Sequence, residues 1–245
     1  MAGKGGSGKT SIASLVIRYL MKNRPGPILA VDADPNINLG ESLGLRVNET
    51  VSSIIATFNE EKINLPPGMT KEAYLEYRLN NALVESKKLD LISMGWGEGP
   101  DCYCYPNLVL RKFVDNLADN YAYIVMDNEA GMEHLSRRTT QNVDDLLVIS
   151  NHTVKGVRTA ARVKELVTEL KLVVKRQWVL INLVPDKLDP VIADELARLG
   201  INQVDIIPFD NEVYEYDLKL KPLLDLPDSS AAVMAVDNLM AKLLS

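Results

Sequence analysis

The stretch Gly3-Lys4-Gly5-Gly6-Ser7-Gly8-Lys9-Thr10 constrains this chain more than any other, because it fits G-x-x-x-x-G-K-[ST] at every fixed position and runs directly into a helix-period segment. Glycines allow backbone N–H groups to curl around phosphate oxygens, and the N-terminus of the following helix favours the anion. Lys9 neutralises charge on the β- and γ-phosphates, and Thr10 is placed to hold Mg²⁺. Gly5, Gly6, Ser7, Gly8, Lys9, Thr10 and Ser11 are therefore the candidate nucleotide ligands. A loop of this kind needs a strand to feed it, yet only Met1 and Ala2 precede Gly3. The expectation is that the natural start lies several residues upstream, since loss of a central strand would leave ladder groups of its neighbours unpaired.

The remaining pattern agrees with a sheet. Apolar runs at 28–32, 89–94, 122–127, 146–150, 177–183 and 203–208 read as buried strands. Between them, 10–23, 70–86, 107–118, 154–171, 188–199 and 229–244 read as helices. Such alternation predicts an α/β fold, a mostly parallel sheet flanked by helices on both faces, with ligands beyond the carboxyl ends of the strands. Residues 1–245 are expected to form a single domain, with the polar segment 58–88 as a surface helical insertion.

Charge and composition narrow the functional classes. A net charge of −6 argues against a general nucleic-acid or anionic-membrane binder, and no apolar run approaches the roughly 20 residues of a bilayer crossing. With no signal peptide before the first motif, a cytoplasmic protein is expected. The two cysteines, Cys102 and Cys104, are too few for a disulfide scaffold, and an i to i+2 bridge closes a strained ring. Reduced thiols follow.

Two carboxylates, Asp32 and Asp34, end the strand at 28–32, where a sheet delivers residues to bound phosphates. The apolar strand Tyr123-Ile124-Val125-Met126 ends in Asp127, the Walker B pattern, with Asp127 expected to hold Mg²⁺ through a water. Asn128-Glu129-Ala130-Gly131-Met132-Glu133-His134 follows.

Lys4, a second lysine inside the loop, makes the motif resemble the deviant Walker A group of P-loop ATPases, which includes the Min and Par ATPases and nitrogenase iron protein, on a SIMIBI-like P-loop NTPase fold. That resemblance implies an ATP-dependent homodimer in which Lys4 reaches the phosphates held by the other subunit. It also implies that Asp34 orients the attacking water and that the Gly131 N–H senses the γ-phosphate. Asn182 and the Pro208-Phe209-Asp210 stretch resemble the group's adenine site.

Within the group, Ser229 to Ser245 is not the basic amphipathic helix of membrane-bound Min members, and residues 128–140 lack the second cluster cysteine of nitrogenase iron protein. Cys102-Tyr103-Cys104 together with D-x-E-A-G-x-E-H after Walker B resembles the CooC/AcsF family, ATPases that mature carbon monoxide dehydrogenase and acetyl-CoA synthase. The resemblance implies nickel or zinc held by the paired cysteines of two subunits and a nickel-enzyme client. Chemistry agrees: two thiolates cannot fill the four-coordinate shell of Zn²⁺ or square-planar Ni²⁺, whereas a twofold dimer supplies four. The helix beginning near Pro106 is expected to lower the thiol pKa values through its dipole. The alternative is a ParA/MinD-like switch that acts in positioning or assembly without metal. His134 is read first as a hydrogen-bonded structural residue, Arg137 and Arg138 as switch-steadying or solvated charges, and Trp96 and Trp178 as packing residues.

Overall fold

The computed structural model describes residues 1–61, 65, 67–96, 104–128 and 142–245, without the side chains of 59–61, 104, 105, 107 and 142. Strands β1 (Ala2–Gly3), β2 (Ile28–Ala33), β3 (Leu89–Ser93), β4 (Tyr123–Asn128), β5 (Asn142–Asn151), β6 (Val173–Val184) and β7 (Asp205–Pro208) all pair in parallel. The order is β3-β2-β4 in one sheet and β1-β5-β6-β7 in the other. Among the described residues they are joined where the Met1 nitrogen donates to the Met126 carbonyl at 2.6 Å and Asn128 Nδ2 donates to the Met1 carbonyl at 2.8 Å. The short β1 thus lies between β4 and β5, at the centre of the combined array.

Alternation along the strands assigns the helices to faces. Ile28 and Ala30 of β2, Leu147 and Ile149 of β5 and Leu180 of β6 share one core with helices α1 (Lys9–Asn23) and α9 (Ala231–Leu243). The intervening residues point the other way. Leu29 and Val31 meet α3 (Val51–Glu61), α4 (Lys71–Ala82) and α5 (Cys104–Leu117). Val148, Val179 and Ile181 meet α6 (Val154–Glu169) and α7 (Pro190–Arg198). Helices therefore cover both faces of a parallel sheet, as the alternating pattern requires. The short α2 (Asn38–Ser42) follows β2, and α8 (Asn211–Leu218) follows β7.

Three local outcomes differ from the sequence reading. Helix α4 is largely exposed but buries Leu79 and Ala82 beside α3, so the 58–88 segment also contributes to a core. Strands β5 and β6 run on past their apolar centres to Asn142 and Val173, where Lys175 and Arg176 face Asp144 and Asp145 across the ladder. Helix α5 begins at Cys104 rather than after Pro106, which places Cys104 in the first turn. Proline is tolerated there because first-turn N–H groups have no intrahelical partner. Among the described residues, no helix is long and apolar enough to cross a membrane.

Candidate nucleotide site

The loop from Lys4 to Gly8 lies between β1 and α1 and is shaped by close approaches. Gly3 passes so near β5 that a Cβ would overlap the Ile149 carbonyl, and Gly8, at φ 85°, stands before α1 in the left-handed region. A methyl on Gly8 would overlap Asn182 Nδ2. That amide, at the end of β6 and only 3% exposed, donates to the Ser7 carbonyl at 2.9 Å. The Ser7 N–H closes the turn on the Lys4 carbonyl at 3.3 Å. Lys9 is buried, with Nζ 3.5 Å from the same Lys4 carbonyl, whereas Lys4 itself is exposed.

Parallel register brings the carboxylates together. Asp32 of β2 pairs with Asp127 of β4 on one side and Ser93 of β3 on the other. Thr10 Oγ1 donates to Asp127 Oδ2 at 2.6 Å, while Asp127 Oδ1 is buried with no hydrogen-bond partner among the described residues. Burial raises the Asp127 carboxyl above its ordinary range, and the Thr10 hydroxyl and the Lys9 charge pull the other way. A hydroxyl and an orphaned carboxylate oxygen side by side fit a hard, oxygen-seeking cation such as Mg²⁺. Asp32 is pushed up to about 7, first by burial and then by the charge of Asp127. Asp34, half-buried, accepts from the Asn36 backbone N–H at 2.9 Å and from Asn36 Nδ2 at 2.8 Å.

A cavity of about 540 Å³ opens over the loop. Its near side is Gly5, Gly6, Gly8, Lys9, Thr10 and Ser11, and Asp34, Asn36, Asn38, Glu41 and Ser42 form a second wall. The structure thus gathers most of the predicted phosphate-loop residues and Asp34 at one opening. A third wall, Asp217, Leu220, Lys221 and Leu223, was missed by the sequence reading. Leu220 holds φ 50°, a left-handed C-terminal turn occupied by leucine instead of glycine, so no glycine marks it.

The predicted base-site residues lie at the ends of β6 and β7 and at the start of α8. Pro208 ends β7 and Asp210 caps α8 through the Glu212 N–H at 2.8 Å, and neither lines the cavity. Asp210 Oδ2 also accepts from Ser230 Oγ at 2.6 Å and from the Ala232 N–H at 3.0 Å, which fixes the start of α9. Burial opposes its charge, yet these hydrogen bonds hold the carboxyl below its ordinary range. Cys102, Gly131, His134, Arg137 and Arg138 lie outside the described residues, and of Cys104 only its backbone place in α5 is described. Among the described residues no group of three or more His, Cys, Asp or Glu side chains could hold a metal ion.

A parallel sheet with helices on both faces and a glycine-rich loop entering the first helix defines a P-loop ATPase. The model of the CobQ/CobB/MinD/ParA nucleotide binding domain matches residues 1–223, and the chain belongs to that family. It is 42% identical over 247 residues to an uncharacterized ATP-binding protein of Methanocaldococcus jannaschii, covering 100% of this chain and 97% of that one. It is 26% identical over 254 residues to the carbon monoxide dehydrogenase accessory protein CooC of Rhodospirillum rubrum, covering 96% and 94%. Among solved structures, a ParA family ATPase from Chlorobium tepidum TLS superimposes with a TM-score of 0.74 at 19% identity, covering 98% and 96%.

Proposed function

We propose that this ATPase works as a nucleotide-driven homodimer that delivers nickel to the active-site cluster of carbon monoxide dehydrogenase or acetyl-CoA synthase. The observation that carries the reading is the Cys102-x-Cys104 pair leading into the first turn of α5, in a chain similar along nearly its whole length to CooC. Two thiolates per chain make half of a four-coordinate site, so the site is complete only when two copies meet. The metal is cargo.

In this reading the loop N–H groups and Lys9 bind the β- and γ-phosphates, and the exposed Lys4 reaches the nucleotide of the second copy. Thr10 and Asp127 hold Mg²⁺, which supplies charge neutralisation across the phosphates. Asp34, on the cavity wall, orients water for attack on the γ-phosphate. The Gly131 N–H reports the γ-phosphate to the rest of the switch. Hydrolysis then reopens the dimer and releases nickel to the client.

Membership of the CobQ/CobB/MinD/ParA family also fits a second reading, a ParA/MinD-like positioning or assembly switch without metal. Nickel titration separates the two. The metallochaperone reading expects about one Ni²⁺ per dimer. Binding should be lost in Cys102→Ser and in Cys104→Ser, with ATP hydrolysis retained at least in part. Undiminished binding in both variants would eliminate the metallochaperone reading.

A further inference from the structure

The segment carrying Asp34 is bent where its sequence resists bending. Ile37 sits at φ 58° and ψ 35°, in the left-handed region, immediately before α2, and its own side chain offers that helix no cap. A β-branched residue enters this region only when its surroundings impose it. Beside the Ile37 N–H bond to the Asp34 carbonyl at 3.3 Å, Asp32 holds both ends of this bend. Its Oδ1 accepts from the Asp34 N–H at 3.2 Å and its Oδ2 from the Leu39 N–H at 3.0 Å, one donor from each end of the bend. Asp32 itself is fully buried and held in β2 by strands on both sides.

Neither Asp32 nor Ile37 lines the cavity, whereas Asp34 does. We propose that Asp32 is a positioning residue for ATP hydrolysis: its two carboxylate oxygens clamp the strained Asp34–Leu39 bend and hold the Asp34 carboxylate over the phosphate loop. This rests on the reading of Asp34 as the group that orients the attacking water. A carboxylate offers an acceptor to each of the two N–H donors, while an amide offers one acceptor and turns N–H groups toward the other.

The test is steady-state ATPase kinetics with ATP binding measured in parallel on the full chain. Asp32→Asn is expected to lower kcat by about tenfold or more, in line with one lost charged hydrogen bond, while ATP affinity stays within about threefold. Adding Ile37→Gly to Asp32→Asn should recover about three- to tenfold, because glycine takes a positive φ at no steric cost. Ile37→Pro cannot adopt the bend and leaves the sheet untouched, so it should reproduce the same split even if Asp32→Asn folds poorly. Wild-type kcat in Asp32→Asn and Ile37→Pro, an equal loss in ATP affinity, or no recovery from Ile37→Gly would overturn the clamp. Asp34→Asn separates the failures. If it loses turnover while Asp32→Asn does not, only the clamp is wrong; if Asp34→Asn turns over normally, the reading of Asp34 falls and the clamp with it.

Discussion

Replacing Asn182 with alanine distinguishes a prop for the phosphate loop from a reader of the base. The side chain is 3% exposed and its Nδ2 donates to the Ser7 carbonyl at 2.9 Å. Truncation leaves that carbonyl buried beside a small void, and an unsatisfied buried polar group costs about 1–3 kcal/mol. If the cost falls on the loop conformation that receives phosphate, affinity drops by about 5- to 150-fold at roughly 1.4 kcal/mol per decade. The loss should be indifferent to the base. Isothermal titration with Mg-ATP, Mg-GTP and magnesium tripolyphosphate is the assay, and Asn182→Ala should weaken all three by a similar factor. Gly8→Ala, whose methyl would overlap the same amide, should do likewise. A variant that binds tripolyphosphate normally and merely stops distinguishing ATP from GTP would refute the prop and support the base-reading role.

Other expectations follow from single contacts. Thr10→Ala removes the hydroxyl that donates to Asp127 Oδ2, and should weaken Mg²⁺-dependent ATP binding by about tenfold while leaving metal-free ATP binding little changed, as measured by titration with and without EDTA. Asp210→Asn should lower Tm without changing ATP affinity. Because the folded Asp210 carboxyl lies below its ordinary 3.8, its contribution is present above that value and is lost as pH falls through the folded pKa. The Tm gap between wild type and variant should therefore be widest near neutral pH and close in acid. Asp32 has the opposite sign: its folded carboxyl is raised to about 7, so the charge costs stability as pH rises from about 4 to 7. The stability gap between Asp32→Asn and wild type should therefore shift in the variant's favour as pH rises from about 4 to 7, on top of the constant cost of the hydrogen bond the amide cannot accept, as measured by Tm against pH.

The parts of the fold that could be read in the sequence are those whose burial repeats with a period. Strand β2 is buried at every position, and α1 buries Ile12, Leu15, Val16 and Leu20 on a helical spacing, so both declare themselves. Helix α2 has only five residues, too short for a period to develop, and α8 buries none of its residues, so neither leaves an apolar stripe. Helix α3 does bury Val51, Ile54 and Ile55, but its β-branched, serine- and threonine-containing sequence has weak intrinsic helix preference.

The site divides along the same line. Glycines and lysines at fixed spacing announce the phosphate loop, because the chemistry of cradling an anion admits few alternatives. Asn182 and Asp210 could be ranked only by their order after other motifs. Their partners, the Ser7 carbonyl and the start of α9, are 175 and 20 residues distant in sequence, and tertiary contact alone decides what such polar groups bond. The far wall at Asp217 to Leu223 depends on a left-handed turn at Leu220 that no turn residue signals.

The claim that nucleotide and metal act on one dimer is tested most directly by measuring nickel affinity and molecular mass on the same samples, with and without a non-hydrolysable ATP analogue. Coupling between two ligands is reciprocal, so the analogue should tighten nickel binding by the same factor by which nickel tightens the analogue, with mass rising from one chain to two. Nickel should bind more tightly with the analogue, at about one metal per pair of chains, with no coupling in Cys102→Ser or Lys9→Ala. Nickel affinity unchanged by the nucleotide, in a protein whose mass does respond to it, would contradict that claim.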